Sequence, residues 1–523
     1  MKKWLFLLLL TISAQAQFSK THYIPPLSAS QSVVPEDQYL YISTPSVTPV
    51  NFRITNLGST LVEGTVSRND PFVYFIGIGP ATQLFTDRTE IGSVVGNRGF
   101  VVEAEDLIYV TARVIAGNGN QAGMLVSKGL AALGTQFRIG AMLNTLTQGY
   151  QPIHHTFISI LATENNTTVT FSDITANVQL INDSSGNSPA PVVLNSGESY
   201  VLAVEGGWDP NRDGLIGTLV SSDKPIAVNC GSFGGTNGGM NNIDTGFDQI
   251  VSAERTGTEY IFIRSTGMDD VERVLVVAHE DDTQVFFNGN TSPAATLLAG
   301  EYMTFTGGDF DANGNLYVQA SKKVFAYQSI GDNGRPDQAN QELFFVPPLS
   351  CETPRIIDNI PDVELVGSRQ FIGRVTIITE IGSALEFVVD GITYPLNGLP
   401  PFVNVAGPNP VTGNASYETY VITGLSGDVS VISTGQLYLA SYGSSNAATF
   451  GGFYSGFTFK PEIAFDPIDV AASTCIPNIT LSVSPITAFD AFQWYFNDAP
   501  IAGANSRSFV PAVPGYYYVS GRI

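Results

Sequence analysis

The chain has 523 residues, too many for one ordinary hydrophobic core, so two or more domains are expected. Only 14% of residues are charged, beside 52 glycines, 30 prolines and 21 tyrosines, which suits short strands and tight turns and excludes a mainly helical protein. A net charge of −23 argues against nucleic acid, whose phosphates need clustered Lys and Arg, and disfavours adsorption to anionic lipid.

In chain order, Lys2 and Lys3, the apolar run Trp4 to Leu10 and the small-x-small site Ala14-Gln15-Ala16 read as a secretory signal peptide over residues 1–16. The mature chain then begins at Gln17. The apolar run is about half of the roughly 20 residues that a spanning helix needs, and no later stretch is apolar enough to span.

Residues 17–465 read as four copies of one β-rich unit, starting near 43, 162, 278 and 378. Ala162-Thr163-Glu164-Asn165-Asn166-Thr167-Thr168-Val169-Thr170-Phe171 is echoed by Ala278-His279-Glu280-Asp281-Asp282-Thr283-Gln284-Val285-Phe286-Phe287. It is echoed again by Ile378 to Phe387, and more weakly by Ser43 to Phe52. Each copy predicts a strand end, a polar turn and a new strand whose apolar residues lie two apart, hence on one face. Gly197-Glu198 and Gly300-Glu301 each open a further strand. Leu219 to Val228, Tyr317 to Ala326 and Val431 to Ala440 read as strand, polar turn, strand. The nearest approach to a helical pattern is Leu125 to Met142. The fold class is therefore all-β: four packed β-sandwich-like units, or alternatively a propeller-like ring, followed by a fragment of an immunoglobulin-like domain. Residues 466–474 read as a linker. Residues 475–523 carry Trp494 where the core tryptophan of an immunoglobulin strand C would sit, and Tyr517 where a tyrosine corner would. This last pattern stops before a final strand, which predicts further chain beyond Ile523.

Three cysteines are too few for a disulfide scaffold. Export permits Cys230 to pair with Cys351, with Cys475 left over.

The best chemical signal is a repeated acidic loop. Asp209-Pro210-Asn211-Arg212-Asp213-Gly214 and Asp309-Phe310-Asp311-Ala312-Asn313-Gly314 both place oxygen side chains at alternate positions before a glycine, as calcium would require. Asp209, Asn211, Asp213, Asp309, Asp311 and Asn313 are thus candidate Ca²⁺ ligands. The competing reading is a pair of Asx-type turns, since these residues dominate turns anyway. Both loops lack the twelfth-position glutamate of an EF-hand, with Val220 and Ala320 standing there.

No catalytic residue emerges. His22 and His279 are isolated, and the neighbours His154 and His155 would face opposite sides of a strand. Gly452-Phe453-Tyr454-Ser455-Gly456 has its serine one place too late for a nucleophile elbow. There is no Walker loop or Rossmann fingerprint. A pair of acids brought together by folding, as in glycosidases, has no sequence signature to test.

Several segments carry a family resemblance: His22-Tyr23-Ile24-Pro25-Pro26-Leu27, Lys224 to Val228, Gly246-Phe247-Asp248-Gln249-Ile250, Gly257 to Phe262, and Glu342 to Cys351. In this order they resemble the IgGFc-binding-protein N-terminal family, in the version found in large exported proteins of Bacteroidota-type bacteria. The resemblance covers about residues 20 to 465. It implies a secreted or cell-surface binding or adhesion module for protein or glycan ligands, not an enzyme. It also implies a longer chain with immunoglobulin-like or PKD-like repeats, held at the outer membrane through a type IX sorting domain. The alternatives are a secreted carbohydrate-active enzyme and a structural spacer.

Overall fold

The computed structural model describes residues 19–144, 153–206, 208–237, 243–332, 340–350, 353–457, 463–467, 479–483, 491–497, 499–511 and 517–522. The leader, Cys351, Cys475 and most of the expected linker lie outside these residues. The chain divides into two compact units, Met1–Thr458 and Phe459–Ile523. Among the described residues every helix is a short 3-10 turn, and none is long and apolar enough to cross a membrane. The fold is all-β.

The first unit is built four times on one plan, around a long hub strand whose two halves pair with different strands. Hub Phe100–Ala116 pairs through its first half with Val50–Asn56 and Ser19–Ile24, and through its second with Pro35–Ser43 and Gln121–Val126. Hub Leu219–Gly235 repeats this with Thr167–Ser172 and Gly134–Arg138, then His155–Ala162 and Asp244–Ile250. Hub Asn315–Asp332 does so with Thr283–Phe287 and Gly257–Ile263, then Arg273–Ala278 and Asn340–Phe345. In the fourth repeat the hub is split into Val429–Ser433 and Leu437–Ser445, and the partners occupy the same places. Because each hub serves two sets of partners, every sheet curls.

The turn that marks each repeat has a physical cause. Asn166, Asp282 and Gly382 occupy the same repeat position, and all three have left-handed backbones (φ 55°, 56° and 77°). Asn, Asp and Gly are the residues that tolerate this conformation. Thr167 and Thr283 each donate back across the turn, to the carbonyls of Glu164 and Glu280 at 2.7 and 2.6 Å. The Gly-Glu pairs also match. Glu198 and Glu301 accept from the Asn195 and Leu298 amides at 2.7 and 2.8 Å.

Two local expectations are corrected. Leu219 to Val228 and Tyr317 to Ala326 do not turn; each lies within one continuous hub strand. Their polar residues occupy the exposed middle of the hub, where pairing shifts from one set of partners to the other. Only the fourth hub breaks, at Thr434-Gly435-Gln436. Leu125 to Met142 is not helical; it contains the end of one strand, a 3-10 turn at Gly129–Ala132 and the strand Gly134–Arg138.

The last strand of each repeat reaches the centre. Gln121–Val126 lies against Asp244–Ile250, which lies against Asn340–Phe345, then Ala448–Phe453, which returns to Gln121–Val126. The four curled units thus close into a ring, which joins the two architectures expected from the sequence. Close approach at the centre requires glycine. A Cβ on Gly123 would meet the Phe247 ring at 2.6 Å, and one on Gly246 would meet the Leu343 backbone nitrogen at 2.7 Å. The ring is also pinned where its fourth unit meets its first. Buried Arg113 donates to the carbonyls of Asp362, Leu365 and Pro361, each at 2.7 Å, with its guanidinium 4.0 Å above the Tyr41 ring. Hydrophobic clusters run across unit boundaries. One joins Met124 and Val126 to Val375 and Phe450 of the fourth repeat, and another joins Phe344 of the third to Phe453 of the fourth.

In the second compact unit, Ile463–Pro467, Ile479–Val483 and Ser508–Phe509 form one sheet, and Ala499–Pro500, Ala491–Phe496 and Tyr517–Arg522 another. The strand Ile463–Pro467 takes in Asp466 and Pro467, where the linker was expected to begin. Trp494 is fully buried, stacks on Phe509 at 5.7 Å and donates its indole N–H to the Ser506 carbonyl at 2.9 Å. The Tyr517 ring lies tilted against Phe496, their centroids 4.8 Å apart.

Candidate functional site

The two acidic loops do not gather their six oxygens around one point. In the first, Arg212 sits between the carboxylates, 2.9 Å from Asp209 and 3.1 Å from Asp213. Asn211 turns away and is buried. It accepts from the Gln179 amide at 2.8 Å and donates to the carbonyls of Gln179 and Glu205 at 3.3 and 3.1 Å. In the second, Asp309 caps a 3-10 turn by accepting from the Thr306 amide at 2.7 Å. Asp311 accepts from the amides of Asn313, Asn315 and Thr412, while Asn313 donates to the Pro410 carbonyl. Among the described residues no group of three or more His, Cys, Asp or Glu side chains is placed to hold a metal ion.

Cys230 is a free thiol, and Cys351, the partner expected for it, lies outside the described residues. It lies on a hub strand in the interior, 3.8 Å from the Tyr327 hydroxyl, and burial pushes it up to about 12. His154 and His155 are both buried. Burial, aided by the nearby guanidinium of Arg212 for His154 and of Arg88 for His155, holds them neutral, at about 4 and about 3.

Three of the segments that carry the family resemblance, at His22 to Leu27, Gly246 to Ile250 and Glu342 to Phe345, meet at or beside the ring centre. Asp248 is buried beside Lys128, its Oδ1 2.6 Å from Nζ. It also accepts from the amides of Val126 and Phe345, so one side chain bridges three of the four central strands. The Gln249 amide donates to the Tyr23 carbonyl at 2.7 Å and its oxygen accepts from the Lys128 amide at 2.7 Å. His22 bonds to the Ser127 hydroxyl at 3.0 Å, and Asn229 donates to the Pro25 carbonyl at 2.7 Å. These residues tie the N-terminal strand, the 3-10 turn and the central strands together.

One concave feature is a groove of about 460 Å³ where the first repeat meets the second. One wall is Thr89 to Val94, the other Leu180 to Asp183 with Pro189 to Val192, and Tyr200 and Leu202 form the floor. Its walls are fixed. Asp87 and Glu90 form a capping box on the 3-10 turn Arg88–Glu90, and Glu90 is held by Arg98 at 3.0 Å. Asn182, with φ at 65°, donates its side-chain amide to the Arg88 and Ile91 carbonyls at 2.8 and 3.0 Å, joining the two walls. Arg88 reaches Glu205 at 2.7 Å. The acidic loop of this unit supports the second wall from behind through the Asn211–Gln179 bonds and through the Thr175 amide, which donates to Gly214 at 3.2 Å. Asp183 is the carboxylate on the groove, held below its usual range by the Ser185 hydroxyl and amide. Tyr200 is raised by burial and by Asp183. The sequence reading missed this groove, because residues 88–94 and 180–192 lie outside the repeat pattern. The prolines at 189 and 191 were the available signal.

The first compact unit is thus a closed ring of four curled all-β repeats with a groove on its side. Residues 122–443, more than half of the chain, match the family model described as IgGFc binding protein, and the chain belongs to that family. No curated protein matches it. Solved structures that align with it include the GH78 family rhamnosidase of Bacillus sp. GL1, at 9% identity and a TM-score of 0.13. That alignment covers 88% of this chain and 56% of the rhamnosidase, and at this TM-score it carries no argument.

Proposed function

We propose that the chain is an extracellular, non-catalytic binding module that takes a protein ligand in the groove of the second unit. Family membership carries this reading, since the matched family is named for binding the Fc part of immunoglobulin G. The groove supports it: it is concave, mostly apolar, of ordinary ligand-site volume and held in shape by hydrogen bonds that need no ligand. Acid-pair catalysis would need two carboxylates facing each other across a cleft. The groove lining offers one, Asp183. The carboxylates whose neutral form is favoured by burial, Asp213, Asp248, Glu272, Glu342 and Asp428, are not among its lining residues.

Export through the leader at 1–16 belongs to the same proposal, and so does surface attachment by the type IX route. The N-terminal sequence of secreted protein should begin at Gln17. Binding is tested by passing the exported protein over immobilised immunoglobulin Fc and mucin. Capture by either, lost in Val94→Glu, is the expected result. Capture by both that is indifferent to Val94→Glu would remove the groove from the reading, and capture by neither would remove the two ligands to which the family name and setting point.

A further inference from the structure

We propose that the groove takes an extended polypeptide as an added β-strand, lying between the sheet edges Val94–Val95 and Val192–Leu194. This rests on the reading of the groove as the binding site and names the form of its ligand. The sheet of the second unit runs from Val192–Leu194 at one end, through Thr167–Ser172, the hub and His155–Ala162, to Ser199–Glu205 and Val94–Val95 at the other. Both end strands contribute to the groove wall, through Val192 and Val94. In the first unit the corresponding end strands, Ser59–Val66 and Phe72–Gly77, meet. So do Ala295–Leu297 and Tyr302–Phe305 in the third. In the second unit the segment between Ser172 and Val192 enters here, and the groove stands where the other sheets curl shut.

An edge strand presents alternate backbone N–H and C=O groups outward, and natural edges are protected by charge, bulges or cover. These edges instead expose apolar residues, Val94 at 44% and Val193 at 55%. Pro189 and Pro191 hold the approach to the second edge extended, and they offer no donors of their own. An added strand is therefore read by main-chain bonds along Val94–Val95 and Val192–Leu194, with small apolar side chains packed on Tyr200 and Leu202. Asp183 favours a basic residue at one lip. The edges are two and three residues long, so the ligand needs no more than about five residues at the strand rise of roughly 3.3 Å.

The probe is a fluorescent peptide, acetyl-Thr-Val-Lys-Val-Thr-amide, beside the same peptide N-methylated at alternate residues, titrated by anisotropy against the full chain. Each lost main-chain bond is worth close to tenfold in affinity. The plain peptide is expected to bind at least tenfold more tightly than the methylated one, to slow amide exchange at Val94 and Val193, and to lose affinity in both Val94→Glu and Val193→Glu. Equal binding of the two peptides, or no binding of the plain peptide at millimolar concentration, overturns strand addition. If the peptides fail but Fc or mucin is still captured in a manner sensitive to Val94→Glu, the groove stands and only the strand falls.

Discussion

Replacing Asp248 with alanine tests the centre of the ring. Asp248 holds Lys128 at 2.6 Å and accepts from the amides of Gln249, Phe345 and Val126 at 2.8, 3.1 and 3.3 Å, with both charged side chains out of contact with solvent. Burial disfavours charge on either group, raising Asp248 and lowering Lys128, while each partner pulls the other back toward its charged form. Asp248→Ala removes the counter-charge and the acceptor for three amides at once. Breaking a buried pair costs about 3–5 kcal/mol, and the orphaned amides bring the total to about 5 kcal/mol. Lys128→Met leaves the three amides in place and lets the carboxyl take up a proton, so its cost is about 2 kcal/mol. Lys128→Met with Asp248→Asn keeps an amide acceptor without charge, and should lie within about 2 kcal/mol of the parent. At about 2.1 cal/mol/K per residue, a cooperative ring of roughly 440 residues loses about 1 °C of Tm per kcal/mol. Differential scanning calorimetry should therefore show Asp248→Ala about 5 °C below the parent and about 3 °C below Lys128→Met. Equal shifts for the two single variants would refute the bridging role of the carboxylate.

Other outcomes follow from the same structure. Burial raises Glu272 to about 7 although it accepts from the Gly267, Ser265 and Gly331 amides. Its folded value exceeds its unfolded one, so its contribution is full below about pH 4.5 and is lost as pH rises through 7; urea melts of Glu272→Gln should lack this decline. The buried imidazole of His155 is depressed to about 3, so its contribution is present above pH 6.5 and lost on acidification, and His155→Gln should flatten the acid limb of the same curve. Gly123→Ala drives a methyl into the Phe247 ring and should cost about 1–3 kcal/mol in the same melts, against a much smaller effect for Gly382→Asn, whose side chain meets open space and whose type the left-handed turn accepts at Asn166. Titration of calcium should give no heat and no Tm shift, because the oxygens of Asp209, Asp213, Asp309 and Asp311 already accept from Arg212 or from backbone amides. Heat at a stoichiometry of one or two would show that the ion displaces those donors. Cys230 should resist a thiol reagent until the ring unfolds, and a reductant should leave Tm unchanged.

Much of the fold was legible because the repeated feature is a local backbone requirement. Asn166, Asp282 and Gly382 differ in side chain yet meet one demand, a left-handed residue before a strand, and that demand is written within ten residues of sequence. The hub strands were misread for the complementary reason. Ser221-Ser222-Asp223-Lys224 has turn composition, but the strand continues through it because it is anchored at both ends, Ser221 and Ser222 by Thr170, Val169 and Gln136, and Ile226 by Ala162 and Gly134. Side chains there bond to the neighbouring strand and turn, Asp223 accepting from the Thr168 amide and Lys224 donating to the Asn165 carbonyl. Tertiary pairing overrides local preference.

The acidic loops and the groove show where composition stops informing about function. Asp-x-Asn-x-Asp-Gly satisfies both a cation and a turn, and the choice depends on where Gln179, Thr306 and Thr412 bring their amides, none of which the loop itself encodes. The groove is less legible still. It arises because a segment between two repeated strands keeps the ends of one sheet apart, so it lies in residues that break the repeat. In a molecule built from four similar units, the repeated residues are bound to serve the shared problem of folding, as the turn residues Asn166, Asp282 and Gly382 do. The proposed groove is built where the copies differ, by Thr89 to Val94 ahead of the second repeat and by Leu180 to Val192 within it.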